Sequence, residues 1–307
     1  MFSILKGGVI IGLFDGFKKN SIIKKAYNLF NQGKYREALK CYDKILEIDS
    51  NYASAWYGRG VALRELGKYH EALESSDKAL ELDPLGSDMW TNKGLILEKL
   101  GKYHEALEAY NKALEIDPNY LEAWNNRGNA FEKLENYQEA IESYNKALEL
   151  NSNYAIAWYN KGYSFEKLES HKEAIESYNK ALELNSNYAI AWYNKGYSFE
   201  KLENYQEAIE SYNKALEIDP NYLEAWNNRG NTFEKLENYQ EAIKSYNKAL
   251  KIDPKSVEAL HNKGITLRKL ENYQEALKCY DRVLELYPHF KPTLKAKKEI
   301  LETKKIK

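Results

Sequence analysis

Cysteine is nearly absent: the chain of 307 residues carries two, Cys41 and Cys279. They stand at the same phase of the first and last copies of a 34-residue repeat, seven repeat steps apart. Packed helices lie roughly 8–10 Å apart, so that separation far exceeds the ~7 Å reach of a disulfide. Free thiols are therefore expected, which suits a reducing, cytoplasmic setting. A long apolar run is missing as well. Gly7 to Phe14 is eight residues long and bounded by Lys6 and Asp15, against the ~20 that span a bilayer. No small-residue cleavage site of the Ala-x-Ala kind follows it, so it does not read as a secretory signal. An excess of one charge is missing too, with 45 basic and 46 acidic residues evenly mixed. That argues against a basic face and against unspecific nucleic-acid binding.

Chemistry-bearing clusters are equally scarce. The five histidines, His70, His104, His171, His261 and His289, occupy four different phases of the repeat and show no metal-ligand spacing. Gly7-Gly8 to Gly12 lacks the Gly-Lys-Ser/Thr ending of a phosphate loop, and Gly58-Arg59-Gly60 falls inside a helical pattern. Glu-Lys pairs such as Glu132-Lys133, Glu166-Lys167 and Glu200-Lys201 read as a solvated helix face. The expectation is a non-enzymatic protein with no catalytic residue, no metal and no cofactor.

What is there is periodicity. From about Lys19 to Phe290 the same 34 residues recur, with a Trp at one fixed phase of six consecutive copies: Trp56, Trp90, Trp124, Trp158, Trp192 and Trp226. A fixed period of this length means a stacked array of units rather than one closed core. Each unit splits into two amphipathic pieces. Trp56, Gly60 and Leu63 share i, i+4, i+7 spacing, as do Ala72, Ser76 and Ala79 beyond Leu66-Gly67-Lys68. Asp83-Pro84 closes the second helix, because proline has no amide to continue it. The Trp column is expected in the core, with Gly60 and Ala72 letting two backbones approach.

This pattern resembles the tetratricopeptide repeat, whose motif is a Trp, a Leu-Gly pair, an aromatic, then Ala, an aromatic, Ala and Pro. Trp124, Gly128, Phe131, Ala140, Tyr144 and Ala147 match it in one copy, and Trp226, Gly230, Phe233, Ala242, Tyr246, Ala249 and Pro254 in another. Arg127, Lys161, Lys195 and Arg229 replace the usual Leu, so their stems are expected to pack while the charges reach outward. Ile22 and Leu260 replace Trp, and Ser50, Ser152 and Ser186 replace Pro. The resemblance implies an all-α fold, a right-handed α-solenoid superhelix of antiparallel helix pairs. Eight copies are expected at 19–52, 53–86, 87–120, 121–154, 155–188, 189–222, 223–256 and 257–290.

Two flanks remain. Residues 1–18 form an apolar N-terminal segment that is expected to fold over the first repeat; the alternative is an interfacial anchor or a self-association element. Residues 291–307 read as a basic C-terminal capping helix, with Leu294, Ile300 and Leu301 covering the last hydrophobic edge.

In the family, the side of the first helix opposite Trp lines the concave groove where extended peptides bind. From Trp158 at ~100° per residue, that side holds Ile156, Asn160, Tyr163 and Lys167, with Tyr159 at its edge. One column is constant: Asn92, Asn126, Asn160, Asn194, Asn228 and Asn262. It resembles the asparagine ladder of the repeat domain of O-linked N-acetylglucosamine transferase, which implies a grip on ligand backbone, since a carboxamide both donates and accepts. Around it, Ile156, Tyr159, Tyr163 and Ile190, Tyr193, Tyr197 make an apolar centre. The flanking copies carry Glu122, Asn125, Asn129 and Glu224, Asn227, Asn231 instead. A Lys/Arg clamp for a terminal carboxylate is absent, since the places that match it hold Tyr, Asn, Glu or Ile and only Lys24 of the first copy is basic.

The expectation is a protein-protein interaction scaffold that binds an extended peptide through Asn126, Ile156, Tyr159, Asn160, Tyr163, Ile190, Tyr193, Asn194, Tyr197 and Asn228. The alternative function is a self-associating or membrane-tethered spacer acting through residues 1–18.

Overall fold

The computed structural model describes residue 19 and residues 21–306, with side chains up to 302. The calls on residues 1–18 lie outside the described residues. Helix α1 (21–31) opens the array. Seven helices follow: α2 (Tyr35–Ile48), α3 (Ala53–Glu65), α4 (Tyr69–Leu82), α5 (Ser87–Lys99), α6 (Tyr103–Ile116), α7 (Leu121–Lys133) and α8 (Tyr137–Leu150). These belong to one compact unit ending at Ser152. A second unit begins at Asn153. It holds α9 (Ala155–Lys167), α10 (His171–Leu184), α11 (Ala189–Lys201), α12 (Tyr205–Ile218), α13 (Leu223–Lys235), α14 (Tyr239–Ile252), α15 (Val257–Lys269), α16 (Tyr273–Leu286) and α17 (Lys291–Ile306). Within each unit every helix packs on the next in sequence, and there is no strand among the described residues.

Each pair is built the same way. The second helix buries Ala174, Ile175, Tyr178, Ala181 and Leu182 in α10, a stripe at i, i+1, i+4, i+7, i+8. The first helix answers with small residues, Ala157, Gly162 and Ser164 in α9. The tyrosine of the second helix is the largest fully buried side chain in six pairs, from Tyr110 to Tyr280. It lies over the glycine of the first helix: a Cβ on Gly162 would stand 2.7 Å from Tyr178 Cε1 and 3.2 Å from the Ala174 carbonyl.

The tryptophans are therefore not the deepest residues. Each is half-buried, contrary to the sequence expectation. The indole N–H of Trp192 donates to the Ser186 carbonyl at 3.0 Å, and that of Trp226 to the Pro220 carbonyl at 3.0 Å. The bond ties the first helix to the loop before it. A backbone carbonyl is the acceptor, so Ser serves as well as Pro.

The turn inside each pair requires one left-handed residue. Gly33, Gly67 and Gly101 supply it with φ of 73–74°. In the next five copies Glu135, Glu169, Glu203, Glu237 and Glu271 take its place at φ 57–60°. The following residue still closes the helix, as when the Ser170 amide donates to the Phe165 carbonyl at 2.9 Å.

At the C-terminus α17 covers the last pair. Ala296 and Ile300 pack on Leu267, Ala276, Cys279 and Tyr280. Leu294 and Leu301, expected to share that task, are 43% and 44% exposed. The helix instead turns its Thr293 side inward, where Oγ1 meets His261 Nδ1 at 2.7 Å. Cys41 and Cys279 are buried free thiols, each inside its own unit. No described helix is long and apolar enough to cross a membrane.

Candidate functional site

In the second unit the first helices α9, α11, α13 and α15 each touch the next in the series. Their faces turned from Trp make one continuous strip. Ile156 and Ile190, at the same place in α9 and α11, are 49% and 40% exposed. Burying an aliphatic side chain of this size is worth roughly 1.5–3 kcal/mol, so leaving two of them in water on one strip is costly. Tyr163 and Tyr197 are half-buried on the same strip, capped by Lys167 at 4.8 Å and Lys201 at 5.0 Å from their ring centroids.

Tyr159 and Tyr193 are engaged in packing. The Tyr159 ring lies 5.9 Å from Tyr178 and 4.9 Å from Tyr188, and Tyr193 stands at the same distances from Tyr212 and Tyr222. Burial, ahead of the neighbouring tyrosines, pushes both phenols above their ordinary pKa. Both therefore join repeats before they meet any ligand.

The asparagine column takes part in the same joints. Asn194 Nδ2 donates to the Tyr159 hydroxyl at 3.1 Å, and Asn228 Nδ2 to the Tyr193 hydroxyl at 3.0 Å. Asn194 is 8% exposed, whereas Asn160 and Asn228 are half-buried. Asn262 Nδ2 donates to Asn231 Oδ1 at 2.9 Å. In the first unit, half-buried Asn126 accepts from Asn125 Nδ2 at 3.4 Å. Asn92 is buried between Arg64 and Ser76.

Two sequence readings change here. Glu132, Glu166 and Glu200 do not belong to a solvated face. Tyr178 donates to Glu166 Oε2 at 3.0 Å, Tyr212 to Glu200 Oε2 at 3.0 Å and Tyr144 to Glu132 Oε2 at 3.1 Å. Burial raises the Glu166 carboxyl above the usual range, with the Tyr178 bond opposing it. The i, i+12 spacing of that Tyr and Glu was visible in the sequence, but only the fold shows that they meet. Asn129 and Asn231 are not bystanders either: Asn129 Oδ1, 2.9 Å from the Tyr144 hydroxyl, shares its proton with Glu132, and Asn231 Oδ1 accepts from the Tyr246 hydroxyl at 2.8 Å. Where Asn231 stands in place of Tyr, a polar hollow of about 410 Å³ opens beside Glu200, Glu234, Asn262 and Lys269.

The charged replacements for Leu lie on the other side of the first helix. Lys161 and Lys195 sit over Trp158 at 4.9 Å and Trp192 at 4.7 Å, and burial lowers the pKa of both ammonium groups. A crevice of about 500 Å³ between Trp192, Lys195, Phe199, Glu207 and Lys214 runs along that side. Its walls carry carboxylates and ammonium groups, so it is a charged notch between paired helices rather than an apolar seat. Among the described residues no group of His, Cys, Asp and Glu is placed to hold a metal ion.

The tetratricopeptide-repeat family model matches residues 87–120, 121–154, 155–188, 189–222, 223–256 and 257–290, and a second tetratricopeptide model matches 23–87. Among solved structures, YrrB, described as a TPR protein with an unusual peptide-binding site, is 30% identical with a TM-score of 0.55. It covers 62% of this chain and 98% of its own. MamA is 27% identical with a TM-score of 0.51, over 52% of this chain and 94% of its own. The C-terminal part of a TPR repeat-containing protein from Cytophaga hutchinsonii shares the fold at 20% identity and a TM-score of 0.66, over 78% of this chain and 98% of its own. No curated protein matches the chain. With repeat models matched across six consecutive copies and helix pairs stacked to the same plan, the chain belongs to the tetratricopeptide-repeat family.

Proposed function

We propose that this protein is an interaction scaffold whose strip on α9 and α11 binds an extended peptide segment of a protein partner. The observation that carries the reading is the exposure of Ile156 and Ile190 at equivalent places on neighbouring helices. Packing within the repeats leaves 49% and 40% of them uncovered, and adjacent Tyr163 and Tyr197 add stiff aromatic surface. YrrB, built on the same repeat, is described as having a peptide-binding site. Half-buried Asn160 and Asn228 supply carboxamides along the ligand backbone, and Asn194, 8% exposed, holds the Tyr159 hydroxyl. Asn126 stands at the same phase of α7, in the first unit. The chemistry of this strip serves binding rather than catalysis, and the buried thiols Cys41 and Cys279 fit a reducing, cytoplasmic setting.

The test is peptide selection on the purified protein, followed by titration of a selected peptide into variants. Ile156→Ser with Ile190→Ser, and separately Tyr163→Ala with Tyr197→Ala, should each weaken binding by roughly 2 kcal/mol, as central truncations do. Lys172→Ala with Gln206→Ala, on exposed positions of α10 and α12, is the matched control. Circular dichroism checks the fold. Selected peptides that bind all three variants as tightly as the parent would move the site off this strip.

A further inference from the structure

The column that begins with Ile156 and Ile190 changes character within the same unit. At the same place α13 carries Glu224 and α15 carries Glu258, both exposed. Neither carboxylate enters an ion pair among the described residues. Both lie near the apolar end: after burial, the Tyr193 phenol is held up by Tyr222, Glu224, Glu166 and Glu258 in turn. A carboxylate in a first turn is favoured by the helix dipole, which accounts for an acid at these places but not for the isoleucines that replace it in α9 and α11. Lys167 and Lys201 belong to the opposite edge. They sit eleven residues further along their helices, about 16 Å at the rise of an α-helix.

Successive first helices touch directly, so neighbouring members of the column stand one helix spacing apart, roughly 8–10 Å. A peptide in the extended polyproline II conformation advances about 3.1 Å per residue with three residues per turn, so one step of the column matches three residues of ligand and every third side chain faces the protein. Resting on the peptide-binding reading above, we propose that the ligand is an extended segment with two apolar residues about three apart, continued at the same spacing by two Lys or Arg residues. The apolar pair lies over Ile156 and Ile190, and the basic pair meets Glu224 and Glu258.

The experiment uses the full chain and fluorescent synthetic peptides of about twelve residues, spaced to match the column. Each carries two leucines three apart, followed at the same step by two lysines, two glutamines or two glutamates. Each is made in both sequence orders, because the column does not dictate chain direction. In one order the lysine peptide should bind roughly tenfold or more tightly than the glutamine peptide, with the glutamate peptide weakest, and the gap should shrink as salt screens it. Glu224→Lys with Glu258→Lys should reverse the order, and Glu224→Gln with Glu258→Gln should erase it. Ile156→Ser with Ile190→Ser should weaken all peptides alike. If lysine and glutamine peptides bind equally and the isoleucine variant weakens both, the basic pair is refuted while the binding strip stands. If no peptide binds in either order, the binding strip itself is refuted together with the basic pair.

Discussion

The hydroxyl of Tyr178 and the carboxylate of Glu166 show how a single pair sets local chemistry. The tyrosine fills the hole left by Gly162, and its hydroxyl then needs an acceptor inside the pair. Glu166 supplies it but is itself buried, and burial outweighs the bond, so its carboxyl titrates above the usual range. A carboxyl whose folded pKa is raised holds more protons in the native state than in the unfolded one between those two values. Its contribution to stability is present below the unfolded pKa and is lost as pH rises through the folded one. Glu166→Gln keeps an acceptor for Tyr178 and removes the titration. The variant should therefore melt higher than the parent at pH 7. That advantage should shrink as pH falls toward the ordinary glutamate value of 4.5. Thermal unfolding across pH decides it, and a pH-independent difference would mean that Glu166 is solvated. Nothing in the Glu-Lys pattern of the sequence signals this burial, because the pairing depends on where Tyr178 lands.

At the scale of the helix pair, the turn shows where sequence signals mislead. Glycine marks the left-handed position in the first three copies, but from Glu135 onward the chain reads Leu-Glu-Asn at the turn, or Leu-Glu-Ser where Ser170 stands. Asparagine tolerates positive φ better than glutamate, and local preference alone would place it there. The structure puts Glu169 at φ 58° and starts α10 one residue after Ser170, whose amide closes the turn on the Phe165 carbonyl. Glu169→Gly should then relieve the strained backbone and stabilise the protein by about 0.5–1 kcal/mol, the strain of a left-handed residue less the entropy that glycine loses on folding. Urea unfolding measures it. A destabilised variant would show that the Glu169 side chain contributes more than its backbone costs. The Trp column teaches the converse. Its spacing was legible, but its depth was not, since the indole N–H of Trp192 and of Trp226 reaches out to the carbonyl of the preceding loop.

Within each of the two units, contacts run between sequence neighbours, each helix with the next and first helices with the following first helix. Stability in such an array is a sum of local terms, so unfolding should be less cooperative than in a closed domain of this length. Hydrogen exchange followed by mass spectrometry should show α1 and α17 opening first and α9 to α12 among the last. Simultaneous exchange of all helices would contradict a nearest-neighbour array. The near-identity of residues 155–188 and 189–222 makes this a clean comparison, since two copies of almost one sequence differ mainly in their neighbours.

Period, helix type and family were determined by the sequence alone, because the 34-residue recurrence and the amphipathic spacing are one-dimensional signals that survive without any long-range contact. The exposed isoleucines were legible for the same reason, since helical phase places Ile156 and Ile190 opposite Trp158 and Trp192. Only the tertiary structure decided what each polar group on that face of the first helices does. Asn194, Asn228, Asn129 and Asn231 find hydrogen-bond partners on a second helix or a neighbouring repeat, between 15 and 35 residues away. A hydrogen bond needs its donor and acceptor within about 3 Å, and that proximity is created by stacking one pair on another, not by periodicity along the chain.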